Sequence, residues 1–295
     1  KKEYPQNIKY VTTEQMVEIS KEKTKTQHFI STGKDFPYFY YLSVMSALKT
    51  HNGPITLWTT EDYDNDYYQL LKDKINIINI KEHLVYKPLY EQVINSPLLE
   101  GASDNDIAVA LCDVLSIAMK SNVGGCWAGL GSLFLKDKTD LISSEKELTI
   151  GACPSHWQED FYSPLGGMWR PNSLIASTIF NKALKRLELP STEYKWGCLG
   201  IDLFNEVINE NKDKVSILPH GTLTAHHDSV DTLFHTTLNL FPDARIIVPY
   251  TTAYNKVHKK PLSKIITPEW IWNTNSHYTN IIKQLLTEEE INGKI

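Results

Sequence analysis

The sequence predicts an α/β chain, a mostly parallel sheet in a three-layer α/β/α arrangement, and three observations predict it. Short apolar runs near Gln27, Ile55 and Ile75 alternate with helical patterns, the grammar of βαβ units. A strongly apolar helical stretch, Asp104 to Lys120, then leads into the glycine pair Gly124-Gly125. At 295 residues, 41% hydrophobic and 22% charged, the chain can bury a sizeable core without disulfide or metal staples.

Taken in order, Lys1 to Lys25 is polar and rich in Lys and Glu. Thr13 is placed to cap a short helix whose apolar side is Met16, Val17 and Ile19. Gln27-His28-Phe29-Ile30-Ser31 reads as a buried strand ending at Thr32-Gly33. Asp35 is placed to cap the next helix, with Pro37 in its first turn, where a missing N–H costs nothing. That helix carries Tyr41, Val44, Met45 and Leu48 at three-and-four spacing and stops at Asn52-Gly53-Pro54. Ile55 to Thr59 is the second strand, Tyr67 to Lys74 a helix, and Ile75 to Ile80 the third strand. Right-handed crossovers place these strands in one sheet, with ligands expected outside their carboxyl ends, near Ser31, Thr32, Thr59 and Thr60. Further strands are expected at Leu133-Phe134-Leu135 and Leu148-Thr149-Ile150, and helices at Ser173 to Leu187 and Ile201 to Asn209. Val215 to Ile295 alternates short apolar runs with His, Asp, Thr and Pro. No repeat or linker interrupts the chain, so one domain is expected over residues 1–295.

The net charge of −5 is spread without a basic block, which argues against nucleic acid as the main partner. Cys112, Cys126, Cys153 and Cys198 lie far apart with no Cys-x-x-Cys pair, a pattern that fits a reducing, cytoplasmic setting. No apolar run reaches the roughly 18 residues of a membrane span, and no signal peptide is visible. The first residue is Lys1 rather than Met, which leaves room for a removed anchor or flanking domain.

Asp113 is the anomaly of the apolar helix. A carboxylate buried there without partners costs several kcal/mol. It either faces solvent or a nearby backbone amide, or it faces a ligand hydroxyl, and the residues alone leave both readings open.

The stretch Cys112-Asp113, Gly124-Gly125 and Trp127 resembles the sugar-binding region of the Asp-x-Asp type. That region occurs in glycosyltransferase family 32, in capsular-polysaccharide transferases and in clostridial glucosylating toxins. His28-Phe29-Ile30 and Tyr40 to Leu48 resemble those families' first strand and first helix, and the match is good over about residues 27–135. Asn172-Ser173 and Trp196 to Gly200 fit the acceptor side more loosely. The resemblance implies a GT-A-like nucleotide-diphospho-sugar transferase fold. It implies transfer of a sugar, with retention, to a glycan, lipid or protein acceptor received by residues 136–295. It also implies that His28, Ile30, Thr32, Asp113, Gly125, Trp127, Gly129, Gly131 and Asn172 surround the donor. Asp202 and Asp228 are the candidate catalytic carboxylates, Asp202 reading either as a helix-start carboxylate or as a group that orients a sugar hydroxyl.

Two departures stand against that pattern. Gly129-Leu130-Gly131 occupies the Asp-x-Asp position, and Ser116 the position of a phosphate-facing Arg. A cation bridging two phosphates needs hard oxygen ligands, so Mn or Mg is expected only if carboxylates stood at Gly129 and Gly131. Glycine offers instead close backbone approach, with N–H groups able to face a phosphate. Three explanations compete: a transferase that works without metal, a non-catalytic nucleotide- or sugar-binding relative, or a chain altered at this pair. His226, His227 and Asp228 form the fallback metal set, against the reading of a surface loop. Asp62, Asp64 and Asp66 read best as a solvated turn, and Trp157, Trp169, Trp270 and Trp272 as core aromatics rather than sugar platforms.

Overall fold

The structure is a computed structural model and describes residues 24–153, 162, 166–226 and 229–294. The helix expected after Thr13, together with Trp157, His227 and Asp228, lies outside the described residues.

The chain begins with β1 (Gln27–Ser31), α1 (Tyr38–Thr50), β2 (Ile55–Thr59), α2 (Asp66–Gln69) and β3 (Asn76–Asn79). Next come α3 (Tyr86–Ile94), α4 (Asp104–Asn122), β4 (Gly125–Trp127), β5 (Leu133–Phe134), β6 (Leu148–Gly151) and β7 (Met168–Trp169). Then follow α5 (Leu174–Leu187), α6 (Ile201–Glu210), β8 (Val215–Leu218), β9 (Leu223–His226), α7 (Val230–His235) and β10 (Ile246–Pro249). The C-terminal end is helical: α8 (Thr251–His258), α9 (Leu262–Ile265), α10 (Pro268–Asn273), α11 (His277–Leu285) and α12 (Glu288–Asn292).

A seven-stranded sheet has the order β3-β2-β1-β4-β7-β6-β8. β1 pairs in parallel with β2 and β4, and β2 with β3, as expected from the βαβ grammar. β7 is antiparallel to both of its neighbours. A three-stranded sheet, β5-β10-β9, is built mostly from the last third of the chain.

Period two along β1 separates two cores. Phe29 joins Tyr41, Leu42, Leu57 and Phe134 on one face of the sheet. Ile30 packs on the other face with Trp58, Trp127 and the buried side of α4. With both faces covered, β1 and β2 are buried along nearly their whole length, Gln27 and His28 included. α1 is buried nearly all round because the C-terminal helices cover its outer side, where Tyr38 and Tyr41 donate to the carbonyls of Ile291 and Glu290.

Two local expectations change. Pro37 itself stands at the N-cap of α1 and no side chain caps it, so Asp35 has no capping role. The helix expected over Tyr67 to Lys74 is the single turn α2, capped by the Asn65 side chain. Beyond Leu70 the bonds of Leu71, Lys72 and Lys74 run to the third residue back, which tightens the chain into turns before β3. α4 starts as its sequence asks: Ser103 accepts from Asp106 N–H, and Asp104 and Asp106 lie in the first turn.

β4 closes on β1 through Gly125, which has φ +92° and lies so near His28 that a Cβ there would fall 2.4 Å from the ring. Gly125→Ala is therefore expected to lower stability by about 1–3 kcal/mol, through both the left-handed backbone and the crowding. Gly33→Ala, with nothing within 4 Å of the added carbon, should leave it nearly unchanged. Urea unfolding of the two variants checks this pair.

Candidate functional site

A cavity of about 340 Å³ opens at the carboxyl ends of β1 and β4. The chain runs outward from β1 to β2 and β3, then returns to place β4 on the other side of β1. The cavity thus sits at a topological switch point, where ligands of open α/β sheets bind. One wall is the end of β1, Ile30 to Gly33, and another is the segment Trp127 to Leu130. The third is one face of α4, where Asn105, Val109, Asp113, Ser116 and Lys120 follow at helical spacing. Leu199 and Gly200, just before α6, and Thr252 of α8 complete it.

Local bonds set this geometry. Thr32 donates from Oγ1 to the Ala108 carbonyl at 2.7 Å, tying β1 to α4. Tyr63 bonds Ser31 Oγ at 2.8 Å and donates to the Gly33 carbonyl at 2.7 Å, bracing the turn after β1. Trp58 Nε1 donates to His28 Nδ1 at 3.1 Å, and the His28 ring stacks on Trp127 with centroids 4.9 Å apart. Burial lowers His28 to about 4, so the ring is neutral and accepts from Trp58.

Asp113 is partly exposed, and it opens onto the cavity. Its carboxylate lies against Gly200, where a Cβ would come within 2.4–2.5 Å of it. Only glycine lets the chain entering α6 approach this closely. Burial pushes the Asp113 carboxyl up to about 7, with the charge of Lys120 pulling it back. Lys120 is itself buried and is lowered to about 8 by that burial, against the influence of Cys112 and Asp113. Its Nζ sits 5.2 Å from the Trp127 ring centre and 5.9 Å from that of Trp169, within cation–π range. The site therefore holds two opposite, poorly hydrated charges on one helix face, a common mark of function. Lys120 is absent from the residues expected at the site, although a lysine seven residues after Asp113 in an apolar helix falls on the same face.

The structure brings Ile30, Thr32, Asp113, Trp127 and Gly129 together around this cavity. It places other expected site residues elsewhere. His28 and Gly125 pack against each other in the core behind the cavity. Gly131 is buried with φ +98°, and a Cβ there would meet Phe39 Cε2 at 2.2 Å. It is the third residue of a turn in which Gly129 accepts from Ser132 N–H, a position that asks for glycine. Asn172 is exposed beyond the end of β7, and because β7 is antiparallel this is the opposite edge of the sheet. Asp202 is exposed in the first turn of α6, off the cavity wall. His226 is buried at the end of β9, with Nδ1 3.2 Å from Ser229 Oγ and its ring against Phe241, and it too lies off the wall. Thr59 and Thr60 are buried at the end of β2. Asp62, Asp64 and Tyr63 border a separate surface depression, and Asp62 pairs with Lys72 at 3.0 Å. Of the four tryptophans weighed as sugar platforms, Trp169 is fully buried and Trp272 is exposed, donating to Asn292.

The described residues lining the cavity do not fit a divalent cation bridging a diphosphate. Among the described residues lining the cavity Asp113 is the single carboxylate, and a lysine shares its helix face. The turn after β4 offers backbone groups only, and its Gly131 has no room for a side chain. The four cysteines are free thiols.

A carboxyl raised by burial favours folding when protonated, and that contribution fades as pH rises from about 4 through 7. Asp113→Asn should therefore gain stability relative to the parent chain between pH 4 and pH 8, by on the order of 1–4 kcal/mol. Urea unfolding of both proteins across that range checks it. A difference independent of pH would show that the Asp113 carboxylate is well solvated.

No family model matches the chain, and no curated protein matches it. Among the solved structures similar in fold are two glycosyltransferases. One is titled PaToxG glycosyltransferase, at 16% identity and TM-score 0.47, covering 67% of this chain and 75% of that one. The other is the apo-form glycosyltransferase GlyE of Streptococcus pneumoniae TIGR4, at 14% identity and TM-score 0.48. It covers 90% of this chain, which spans 61% of that longer protein. Likeness at this level assigns no residue a role. Among the described residues no helix is long and apolar enough to cross a membrane.

Proposed function

We propose that the chain is a glycosyltransferase whose switch-point cavity takes a nucleotide-diphospho-sugar. The observation that carries this reading is the position of Asp113: a carboxylate opening into a cavity at the β1/β4 edge, beside a turn that offers backbone rather than side-chain ligands. The nucleoside lies along Ile30 to Gly33, and the diphosphate along Ala128 to Leu130. Asp113, deeper on α4, accepts from hydroxyls of the sugar, a role suited to a carboxylate with few competing partners. Lys120, on the same helix face, adds positive charge near the departing diphosphate without any metal. In the transfer step the bond from the anomeric carbon to the diphosphate oxygen breaks and a bond to an acceptor oxygen forms. The acceptor proton leaves with the diphosphate, which permits retention at that carbon. Residues 136–294, with α6 and α8 at the cavity mouth, receive a glycan, lipid or protein acceptor. The free thiols support a reducing, cytoplasmic setting for this reaction.

A second reading, a binding module that retained the frame and lost the chemistry, is favoured by the lack of carboxylates at Gly129 and Gly131. Uridine and guanosine diphospho-sugars, each with and without chelator, separate the two. A bound donor raises the melting temperature by mass action. Asp113→Ala should weaken binding by about 1–3 kcal/mol, the loss of a charge-assisted hydrogen bond. Donor turnover that persists in chelator is the expected result. Binding without turnover selects the second reading, and turnover that needs manganese contradicts the metal-free assignment.

A further inference from the structure

The structure assigns a second, separate site: Asp231, His235 and His258 form a binding site for a borderline transition-metal ion such as Zn²⁺. Asp231 and His235 are the first-turn and last residues of one face of α7, four positions apart, and His258 ends α8. One donor atom from each of the three lies within 4.8 Å of the others, and His258 Nε2 stands 2.6 Å from Asp231 Oδ1. Bonds of about 2.0–2.1 Å in a tetrahedral site hold neighbouring donors a little over 3 Å apart, so small side-chain rotations complete the set. All three residues are exposed, which gives an ion direct access and leaves a coordination position for water.

An independent feature orients the imidazoles. Tyr254, itself buried against Phe234, bonds His235 Nε2 through its hydroxyl at 3.0 Å and stacks on His258 with centroids 4.2 Å apart. A histidine held at one nitrogen presents the other, which is how outer-shell partners fix metal ligands. Two imidazoles and one carboxylate favour zinc, nickel or copper over magnesium or calcium, which prefer sets made of oxygen alone. Lys256 and Lys259, flanking in sequence, add to that preference by opposing a cation bound through charge alone. An ion here clips α7 to α8, and α8 also carries Thr252 on the cavity wall. The assignment does not depend on what the cavity binds.

Titration calorimetry of the tag-free chain with ZnCl₂ alone tests it. One saturable equivalent is expected, with affinity falling at least tenfold in His258→Ala and in Asp231→Asn, and unchanged in His83→Ala. Zinc should raise the melting temperature of the parent chain but not of the two site variants, and MgCl₂ should raise neither. Absence of saturable binding overturns the assignment, as does binding that survives unchanged in both site variants.

Discussion

How closely β4 can approach β1 decides the geometry of the cavity. The strands register with Gln27 opposite Cys126 and His28 opposite Trp127, and the Cys126 N–H reaches the Thr26 carbonyl at 2.7 Å. That approach depends on a missing side chain at Gly125 and on a flat, neutral ring at His28, which sits between Trp58 and Trp127. Burial penalises a charged His28 ring and holds it neutral through the physiological range. With Trp127 held in this way, the chain leaving β4 turns at Gly129 to Ser132 and becomes one wall of the cavity.

The opposite wall bears a cost in stability. Asp113 and Lys120 are each pushed toward their neutral forms by burial, and their mutual attraction offsets only part of it. An apolar pair would fill the same helix face with less penalty. Retaining the Asp113 carboxylate on the cavity wall makes sense if a ligand with hydroxyls bonds to it there. The Gly200 approach points the same way, because it closes one side of the Asp113 carboxylate and leaves the cavity side open.

Much of the first half was legible in the sequence because its signals are local. The β1, β2 and β3 runs centre on Phe29-Ile30, Leu57-Trp58 and Ile77-Ile78, and α1 and α4 carry helical periodicity. The last third was hard to read because its strands are only four residues long and pair across great sequence distances, as Ile246 does with Phe134. The antiparallel sense of β7 left no trace in composition, and it sends Asn172 to the far edge of the sheet. Within the site, a glycine that faces a ligand and one that faces a ring look alike in sequence. Gly129 lies on the cavity wall, whereas Gly125 and Gly131 make room for His28 and Phe39. Lys120 carries no sequence signal of its own, because a single lysine near the end of a helix is usually a solvated, dipole-facing residue.

Hydrogen–deuterium exchange with and without uridine and guanosine diphospho-sugars tests most directly whether a nucleotide sugar binds in the switch-point cavity. Protection should concentrate on residues 30–33, 105–113 and 127–131, with α7 and the Asp62 to Asp66 turn unaffected. Protection confined to other segments, or no protection by any donor at saturating concentration, would contradict binding there.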